Sequence, residues 1–343
     1  MLTEKDHPHI RKACMEQLAA LYATVLAHGT RKKNRTGVPT IGLDGAAMFF
    51  DASTTFPAVT TKNLAFKSVC AEAIAFLQGK TSAKDFRDLG TTIWDANANE
   101  NTAWLANPFR LGQDDLGPVY GSQWRHWNAF KIIEITKGAQ IKKTLQDGYT
   151  QLALVKHPKT NKDAIIVHKT IDQILYVLEQ LIHNPENRRI LFHGWNWAEL
   201  DQMALPPCHL LYQLLPNPDQ KTLSLCLYVR SNDLGLGAPF NIAEAALFLN
   251  IFARFTGYRP HRISYFIGDA HIYENHLDMI TTQMGREPYP SPTLVIDNNV
   301  PSFNPQYPPS SELLRQWLNQ LHPSQFSLRN YQHHPALSAP MAV

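Results

Sequence analysis

A cysteine preceded by two prolines and followed by a histidine is the sharpest chemical feature of the sequence. Pro206 and Pro207 stiffen the backbone before Cys208, and His209 begins a strand-like run. A thiolate is a strong nucleophile when nearby cations lower its pKa. Free cysteine is also one of the most buried residue types, so a structural role in the core is the alternative for Cys208.

A second polar segment, RSNDLGLGAPFN at 230–241, lies between a predicted strand and a predicted helix. Arg230, Ser231 and the flexible glycine backbone suit an anion and a flat ligand. An ordinary turn between a strand and a helix is the alternative, because a glycine-rich loop alone is a weak signal.

Histidine and tyrosine alternate in the segment GDAHIYENH at 268–276. On a strand end, these side chains could hydrogen-bond the hydroxyls of a sugar. A metal site is the competing interpretation. However, His271 and His276 are five residues apart, not the four that place two ligands on one helix face, and no cysteine pair accompanies them. No metal is therefore predicted.

Arginine occurs at three further positions where it could bind a phosphate, since its planar fork matches phosphate oxygens. These positions are Arg35, in the segment NRTG at 34–37, and the adjacent pair Arg188 and Arg189. A solvated surface charge is the alternative for each of them.

Hydrophobic periodicity predicts the elements that must position these residues. Helices are expected at about 10–28, 66–77, 171–182 and 239–255, and strands at 189–195, 209–215 and 222–229. Thr170 and Gln173 form a capping-box pattern at the start of the third helix. Glu72 lies in the middle of the second helix, where an isolated buried charge is costly, so it must reach a cleft or have a partner.

The composition is that of an ordinary globular α+β protein. The 343 residues include 32 Lys and Arg against 29 Asp and Glu, a formal net charge of +3, so no extended cationic surface for nucleic acid is indicated. The longest apolar stretch, 241–255, is too short and too charged for a membrane span. Four cysteines and an N-terminus without an apolar signal core indicate a reduced, cytoplasmic protein.

We expect one domain over residues 1–343 with one large core. Residues 128–168 differ from the rest of the chain in their pattern of predicted elements. Short strands are predicted there at 131–135, 151–155 and 164–168, and polar turns separate them. About 40 residues bury little core alone, so this segment is expected to be a surface insertion. The chain after Pro288 is expected to form loops with short elements.

Taken in order, these segments resemble the thymidylate synthase family. The resemblance covers the chain from about residue 15 to the C-terminus, apart from 128–168. The motifs that carry it are NRTG (34–37), TTK (60–62), FLQG (76–79), IWD (93–95), LGPVYG (116–121), QWR (123–125), RR (188–189), LPPCH (205–209), RSNDLGLGAPFN (230–241), GDAHIY (268–273), REP (286–288) and APMAV (339–343). So many motifs in the same order make a chance match very improbable.

The resemblance implies an α+β fold with a large twisted mixed sheet, flanking helices, and sheets packed across a homodimer interface. It implies reductive methylation of dUMP to dTMP, in which 5,10-methylenetetrahydrofolate supplies the one-carbon unit and the hydride. The residues that it places in catalysis are Cys208, Glu72, Tyr120, Trp94, Arg230, Asp233 and His209.

Each implied catalytic role has a chemical reason. Cys208 adds to uracil C6 and thereby makes C5 nucleophilic, while Arg230 favours its thiolate. Glu72 organises water and proton transfers at uracil O4, and Tyr120 assists removal of the C5 proton. Trp94 lines the site of reduction, and His209 belongs to the supporting hydrogen-bond network.

The resemblance also implies how dUMP is held. The implied dUMP ligands are Arg35, Arg188, Arg189, Arg230, Ser231, Asp233, Asn241, His271 and Tyr273. Arg188 and Arg189 come from the other subunit, whereas His271 and Tyr273 bind the ribose. The Asn241 amide donates to uracil O4 and accepts from N3–H, and cytosine presents the opposite pattern, so dUMP is favoured over dCMP.

The folate side is implied by a third set of residues. It consists of Lys62, Ile93, Trp94, Leu205, Asp233, Gly237, Phe240, Ala342 and Val343. The terminal carboxylate of Val343 would help to close the tail over the ligands and exclude water. Three positions depart from the family pattern. Asn97 and Ala65 are smaller than the side chains expected against the folate, and Val229 affects the hydrogen-bond network.

Two other functions compete with this interpretation. A pyrimidine-nucleotide hydroxymethylase, with dUMP as its substrate, shares the early steps but ends with addition of water to the methylene. Trp94 and the intact tail favour reduction instead. The second alternative is a protein that binds nucleic acid and has no catalytic activity. Its support is the slightly positive net charge and the basic run Arg31, Lys32 and Lys33. This alternative predicts salt-sensitive RNA binding that survives Cys208→Ala.

Overall fold

A six-stranded mixed sheet organises the molecule, which a computed structural model describes for residues 14–340. The order of its strands is β1-β2-β9-β8-β7-β6, and the β8–β9 pair is parallel whereas the other pairs are antiparallel. The strands of the described chain are β1 Thr30–Lys32, β2 Thr40–Asp51, β3 Trp127–Glu134, β4 Thr150–Lys156, β5 Asp163–Ile171, β6 Leu191–His193, β7 His209–Asn217, β8 Thr222–Asp233, β9 Arg259–Tyr273, β10 Thr293–Ile296 and β11 Phe326–Arg329.

Helices cover one face of this sheet and its ends. They are α1 Cys14–His28, α2 Phe66–Leu77, α3 Ala83–Asp88, α4 Asp95–Asn99, α5 Thr102–Leu105, α6 Tyr120–Arg125, α7 Gly138–Gln146, α8 Gln173–His183, α9 Gly237–Thr256, α10 Leu277–Met284 and α11 Ser311–Asn319. The α+β class expected from the sequence, with a mixed sheet and flanking helices, is confirmed.

The central helix α9 is buried on nearly all sides because its sequence is apolar all round. It connects the parallel strands β8 and β9, as a crossover helix must, and it packs against both strands and against α2. It ends at Gly257, whose φ of +79° is a left-handed conformation that favours glycine. This helix matches the prediction for 239–255 within two residues at the start and one at the end.

The two faces of the sheet differ in their surroundings. Along β8, Leu223, Leu225, Leu227 and Val229 alternate into the core beneath α9. The opposite face carries large apolar side chains that remain exposed in the single chain, among them Leu215, Tyr228 and Phe266. One face of the sheet is therefore covered by the core, whereas the other is exposed in the single chain.

Residues 127–171 form a small unit beside the main sheet. Strands β3, β5 and β4 pair in that order, which confirms the three predicted strands. The polar stretch between the first two is the helix α7, which the sequence analysis missed because Ile141 and Leu145 are too few to define an apolar face. Ile133, Ile165 and Val167 form a separate small core with Ile141 and Tyr149.

Several predicted boundaries need correction. The capping box at Thr170 and Gln173 is wrong, because Asp172 caps α8 by accepting a hydrogen bond from the Leu175 N–H. The strand predicted at 189–195 is shorter, and residues 10–13 of the first predicted helix lie outside the described residues. The chain after Pro288 contains short elements, as expected. Within residues 14–340, no helix combines the length and the apolar content that crossing a bilayer requires.

Candidate active site

Cys208 lies immediately before β7, next to the guanidinium group of Arg230 on β8. The antiparallel pairing of these strands brings the two residues together across 22 positions of sequence, and Arg230 N–H donates to the Cys208 carbonyl over 2.9 Å. Arg230 Nη2 lies 3.6 Å from Cys208 Sγ. Arg230 is held there because its Nε and Nη2 donate to the carbonyls of Pro207 and Pro206, at 2.8 and 3.0 Å. The two prolines therefore contribute acceptors as well as stiffness.

The electrostatic balance at Cys208 has two opposing parts. Burial raises the pKa of the Cys208 thiol, whereas the positive charges of Arg230 and Arg35 lower it. The effect of burial on this pKa is larger than that of the two arginines, so Cys208 is a thiol at neutral pH. The direction of the Arg230 contribution is the one expected for a residue that favours the thiolate.

A cleft of about 540 Å³ opens beside this cysteine motif. Arg35, from the loop after β1, and Arg230 both line it, and so do Leu205 and Asn97. Two guanidinium groups in one cleft provide a site for a phosphate, since arginine is well suited to bidentate anion recognition.

Tyr120 and Trp94 connect the cysteine to Glu72. The Tyr120 hydroxyl accepts a 2.7 Å hydrogen bond from the Cys208 N–H. Trp94 Nε1 donates to Glu72 Oε1 over 2.7 Å, so the carboxyl in the middle of α2 has the partner that its burial requires. Burial raises the pKa of Glu72 to about 7, which is suitable for a group that exchanges protons near neutral pH.

Asn241, on the first turn of α9, is fixed by a chain of polar contacts. Its Oδ1 accepts from Asn232 Nδ2 at 3.0 Å, and Asn232 Oδ1 accepts from the Tyr265 hydroxyl at 2.9 Å. His209 is also in hydrogen-bond contact with Asn241, and burial lowers the pKa of His209 to about 4, so the imidazole is neutral at pH 7. The amide therefore has a defined orientation, as a group that reads a base must have.

Asp233 shapes the glycine-rich loop that leads into α9. Its carboxylate accepts from the N–H groups of Gly235 and Leu236, at 2.9 and 3.1 Å. Burial alone would raise the pKa of Asp233, but these bonds and a contact with His276 bring it below its ordinary range. Lys62 donates to the Gly235 carbonyl over 2.6 Å, and burial lowers the pKa of Lys62 to about 8.

The proposed sugar-binding pair ends strand β9, as expected. His271 Nδ1 lies 3.0 Å from Asp269 Oδ2, and the rings of His271 and Tyr273 are 5.2 Å apart. Ser231 donates to the same Asp269 carboxylate over 3.3 Å, so its hydroxyl must turn to meet a phosphate. Burial raises the pKa of Tyr273, and the positive charge of Arg35 offsets part of that rise.

Some predicted residues lie elsewhere in the single chain. Arg188 and Arg189 are exposed between α8 and β6, and among the described residues they do not line the cleft that contains Arg35 and Arg230. Ile93 and Phe240 are half-buried against the core. Ala342 and Val343, predicted to close the tail, lie outside the described residues.

The positions that depart from the family pattern have different surroundings. Asn97 is buried and lines the cleft. Ala65 is exposed immediately before α2. Val229 points into the core beneath α9, and its side chain therefore takes no part in the polar network of the cleft.

Two polar residues of the site escaped the sequence analysis. His276, considered there only as a metal ligand, lies 3.5 Å from Asp233 and is bonded to the Pro340 carbonyl at 2.8 Å, so it links the loop to the chain before the tail. Glu244 is fully buried on α9. An acidic residue within an apolar run is the sequence feature that could have identified it. Over residues 14–340, no group of three or more His, Cys, Asp or Glu is placed to hold a metal ion.

Comparisons with known proteins show the family of this chain. A family model described as Thymidylate synthase matches residues 16–343. Over 331 residues the chain is 53% identical to a thymidylate synthase of Pseudomonas syringae pv. tomato and 52% identical to one of Bordetella parapertussis, covering 96% of this chain and 100% of each relative. It is 37% identical to the bifunctional dihydrofolate reductase-thymidylate synthase of Leishmania major over 329 residues, which is 95% of this chain and 55% of that protein.

Proposed function

The chain belongs to the thymidylate synthase family, and we propose that Cys208 carries its reaction by adding to C6 of dUMP. The enzyme converts dUMP to dTMP by reductive methylation, with 5,10-methylenetetrahydrofolate as co-substrate. The observation that carries the role of Cys208 is its placement, 3.6 Å from Arg230, beside a cleft that Arg35 and Arg230 line.

Addition of sulfur solves the central problem of this chemistry, because uracil C5 is a weak nucleophile. The thiol loses its proton, Sγ bonds to C6, and the electron pair of the C5–C6 double bond moves into an enolate over C4 and O4. C5 then bonds to the one-carbon unit of the folate. Loss of the C5 proton and of the folate amine leaves an exocyclic methylene. Hydride from tetrahydrofolate reduces it, the Sγ–C6 bond breaks, and dTMP and dihydrofolate are released.

The neighbours of Cys208 support the proton transfers. Glu72, with a pKa raised by burial to about 7, can give and take the proton that the O4 enolate requires. Tyr120 touches the backbone of Cys208 and is placed to assist removal of the C5 proton. Trp94 holds Glu72 through its indole N–H and forms the wall where the methylene is reduced.

Three groups of side chains are proposed to hold dUMP. Arg35, Arg230 and Ser231 bind the phosphate, and His271 and Tyr273 bind the ribose. Asn241 reads the uracil edge, and Asp233 supports it by ordering the loop before α9. These residues lie at the carboxyl ends of the central strands β8 and β9 and near the start of α9, except for Arg35, which lies in the loop between β1 and β2.

The folate is proposed to bind against Lys62, Ile93, Trp94, Leu205, Gly237 and Phe240. Lys62 and the loop at 235–237 are joined by the Lys62–Gly235 bond, which fixes one side of this surface. Closure of the tail by Ala342 and Val343, and a cytoplasmic location, stay predictions from the sequence.

Identification of both products tests the reaction directly. Incubation with dUMP and 5,10-methylenetetrahydrofolate is expected to yield dTMP and dihydrofolate in equal amounts, measured by chromatography and absorbance. The hydroxymethylase alternative is not favoured by the comparisons. Formation of a hydroxymethyl nucleotide together with tetrahydrofolate would contradict the reductive final step.

Homodimerisation is proposed through the exposed sheet face that carries Leu215, Tyr228 and Phe266. Arg188 and Arg189 precede β6, the edge strand of the same sheet, so pairing of two sheets brings them toward the other subunit. This arrangement accounts for two arginines that lie outside the cleft of their own chain. It makes each active site dependent on both subunits.

Mixing two inactive variants is expected to restore activity if the site is shared. One chain carries Arg188→Ala and Arg189→Ala, and the other carries Cys208→Ala. Each heterodimer then has one site with both elements intact, so random mixing should recover about a quarter of wild-type activity. Native mass spectrometry measures the heterodimer fraction. Confirmed heterodimers without recovered turnover would contradict the shared site.

A further inference from the structure

We propose that Glu244 is a positioning residue for this reaction, whose protonated carboxyl donates to the Glu72 carboxylate and joins Glu72 through His209 to Asn241. The proposal rests on the proposed function, in which Glu72 exchanges protons at uracil O4. It goes beyond it by assigning a second carboxyl to the catalytic network.

The position of Glu244 requires a proton. The side chain is 0% exposed on α9, three residues after Asn241 and therefore on the same helix face. As a carboxylate, Glu244 has no hydrogen-bond donor at either oxygen. Its carboxyl nevertheless lies against the carboxyl of Glu72 on the adjacent helix α2. Two carboxyl groups bond to each other only when one of them carries the proton.

A second contact connects Glu244 to the residue that reads the base. Its Oε2 lies 3.4 Å from Nδ1 of His209, which also lies 2.8 Å from the Tyr212 hydroxyl. His209 is in turn in contact with Asn241. A continuous polar path therefore runs from Trp94 through Glu72, Glu244 and His209 to Asn241.

The charges around the pair decide which carboxyl holds the proton. Burial and the negative charge of Glu72 raise the pKa of Glu244 well above its ordinary value. Burial also raises the pKa of Glu72, but contacts from Trp94 and Glu244 partly offset that rise and hold it at about 7. The other titratable groups that face the pair are His209 and Tyr212 from β7, Tyr120 from α6 and Tyr265 from β9. All four are neutral at pH 7, because burial lowers the pKa of His209 and raises that of the tyrosines. Glu244 therefore stays protonated while Glu72 ionises.

Two substitutions separate this role from packing. Glu244→Gln keeps a donor for Glu72 and a polar group beside His209, so the acid limb of the kcat–pH profile should stay within about half a unit of wild type. Glu244→Leu removes the donor, so the Glu72 carboxylate is destabilised and its pKa rises. The acid limb should then move to higher pH by about one unit or more, with about a fivefold or greater loss of kcat at pH 7 that is recovered at higher pH.

Thr256→Val provides a matched control, because Thr256 is another buried polar residue of α9 and it bonds only the Phe252 carbonyl of its own helix in the described contacts. It should leave the acid limb unchanged. Thermal unfolding and dUMP binding are measured for all variants, so that a loss of folded protein is recognised as such.

Infrared difference spectroscopy of the ligand-free protein observes the proton itself. Wild type minus Glu244→Gln at pH 7 should show the C=O stretch of a protonated carboxylic acid, shifted in D2O. No such band, or a Glu244→Gln limb that moves to lower pH by a unit or more, contradicts the proposal, because both outcomes mean that Glu244 is ionised. Identical limbs in wild type and Glu244→Leu contradict it as well. A wild-type enzyme that forms no dTMP would instead contradict the proposed function, and the infrared result is independent of turnover.

Discussion

Replacing Cys208 with serine is expected to lower kcat for dTMP formation by about 10³-fold or more. The serine hydroxyl occupies the same place but is far less acidic and less nucleophilic than the thiol, so the bond to C6 does not form at a useful rate. The affinity for dUMP should change little, since Arg35, Arg230 and Asn241 remain. Steady-state kinetics and calorimetric titration with dUMP measure the two quantities separately.

Cys226→Ser is the matched control for that substitution. Cys226 is also a half-buried free cysteine, but it lies on β8 away from the cleft-lining residues. It is on the sheet face that carries Tyr228, and serine, which is nearly isosteric with cysteine, keeps the shape of that face. Its replacement should retain most of the activity. A Cys208→Ser variant with more than about a tenth of wild-type kcat would exclude covalent catalysis by this sulfur.

Asn241→Asp is expected to reverse the choice between uracil and cytosine. The amide offers a donor to O4 and an acceptor to N3–H, whereas a carboxyl suits the amino group and the ring nitrogen of cytosine. Sites built to hydrogen-bond one pattern reject the other strongly, because polar groups are left unpaired. We expect kcat/KM for dUMP to fall by about 10²-fold or more, and the variant to favour dCMP, in competition assays with both nucleotides.

Asn250→Asp makes the same chemical change further along α9. Asn250 is half-buried and bonds the Ala246 carbonyl, far along the helix from Asn241. It should keep the wild-type preference for dUMP. If Asn241→Asp retained that preference too, the Asn241 side chain would not be the group that reads the base.

Most residues of the proposed site were proposed from sequence motifs, whereas their mutual geometry required the fold. Cys208 and Arg230 form conspicuous motifs, yet only the antiparallel pairing of β7 and β8 places Arg230 Nη2 3.6 Å from Sγ. The helix α9 was predictable because its apolar run is long. The helix α7 was not, since a short helix on a small exposed unit has too few apolar residues to show a period.

The pKa values of the site residues could not be predicted from the sequence. The pKa of Glu72, of Lys62 and of His209 is set by burial, and burial depends on the whole chain packed around each side chain. The position of Glu72 within an apolar helix did indicate that it needed a partner. The same signal was present at Glu244 and predicts the same need, but the identity of the partner depends on how α2 packs against α9.

Trapping of the sulfur–pyrimidine bond tests the central claim most directly. With 5-fluoro-dUMP and 5,10-methylenetetrahydrofolate the reaction should stop after both bonds have formed, because fluorine cannot leave C5 as the proton does. Proteolysis and mass spectrometry should then find the nucleotide and the folate attached to the peptide that contains Cys208, at one equivalent per active site. Attachment at another residue, or no attachment while dUMP is still turned over, would contradict the account.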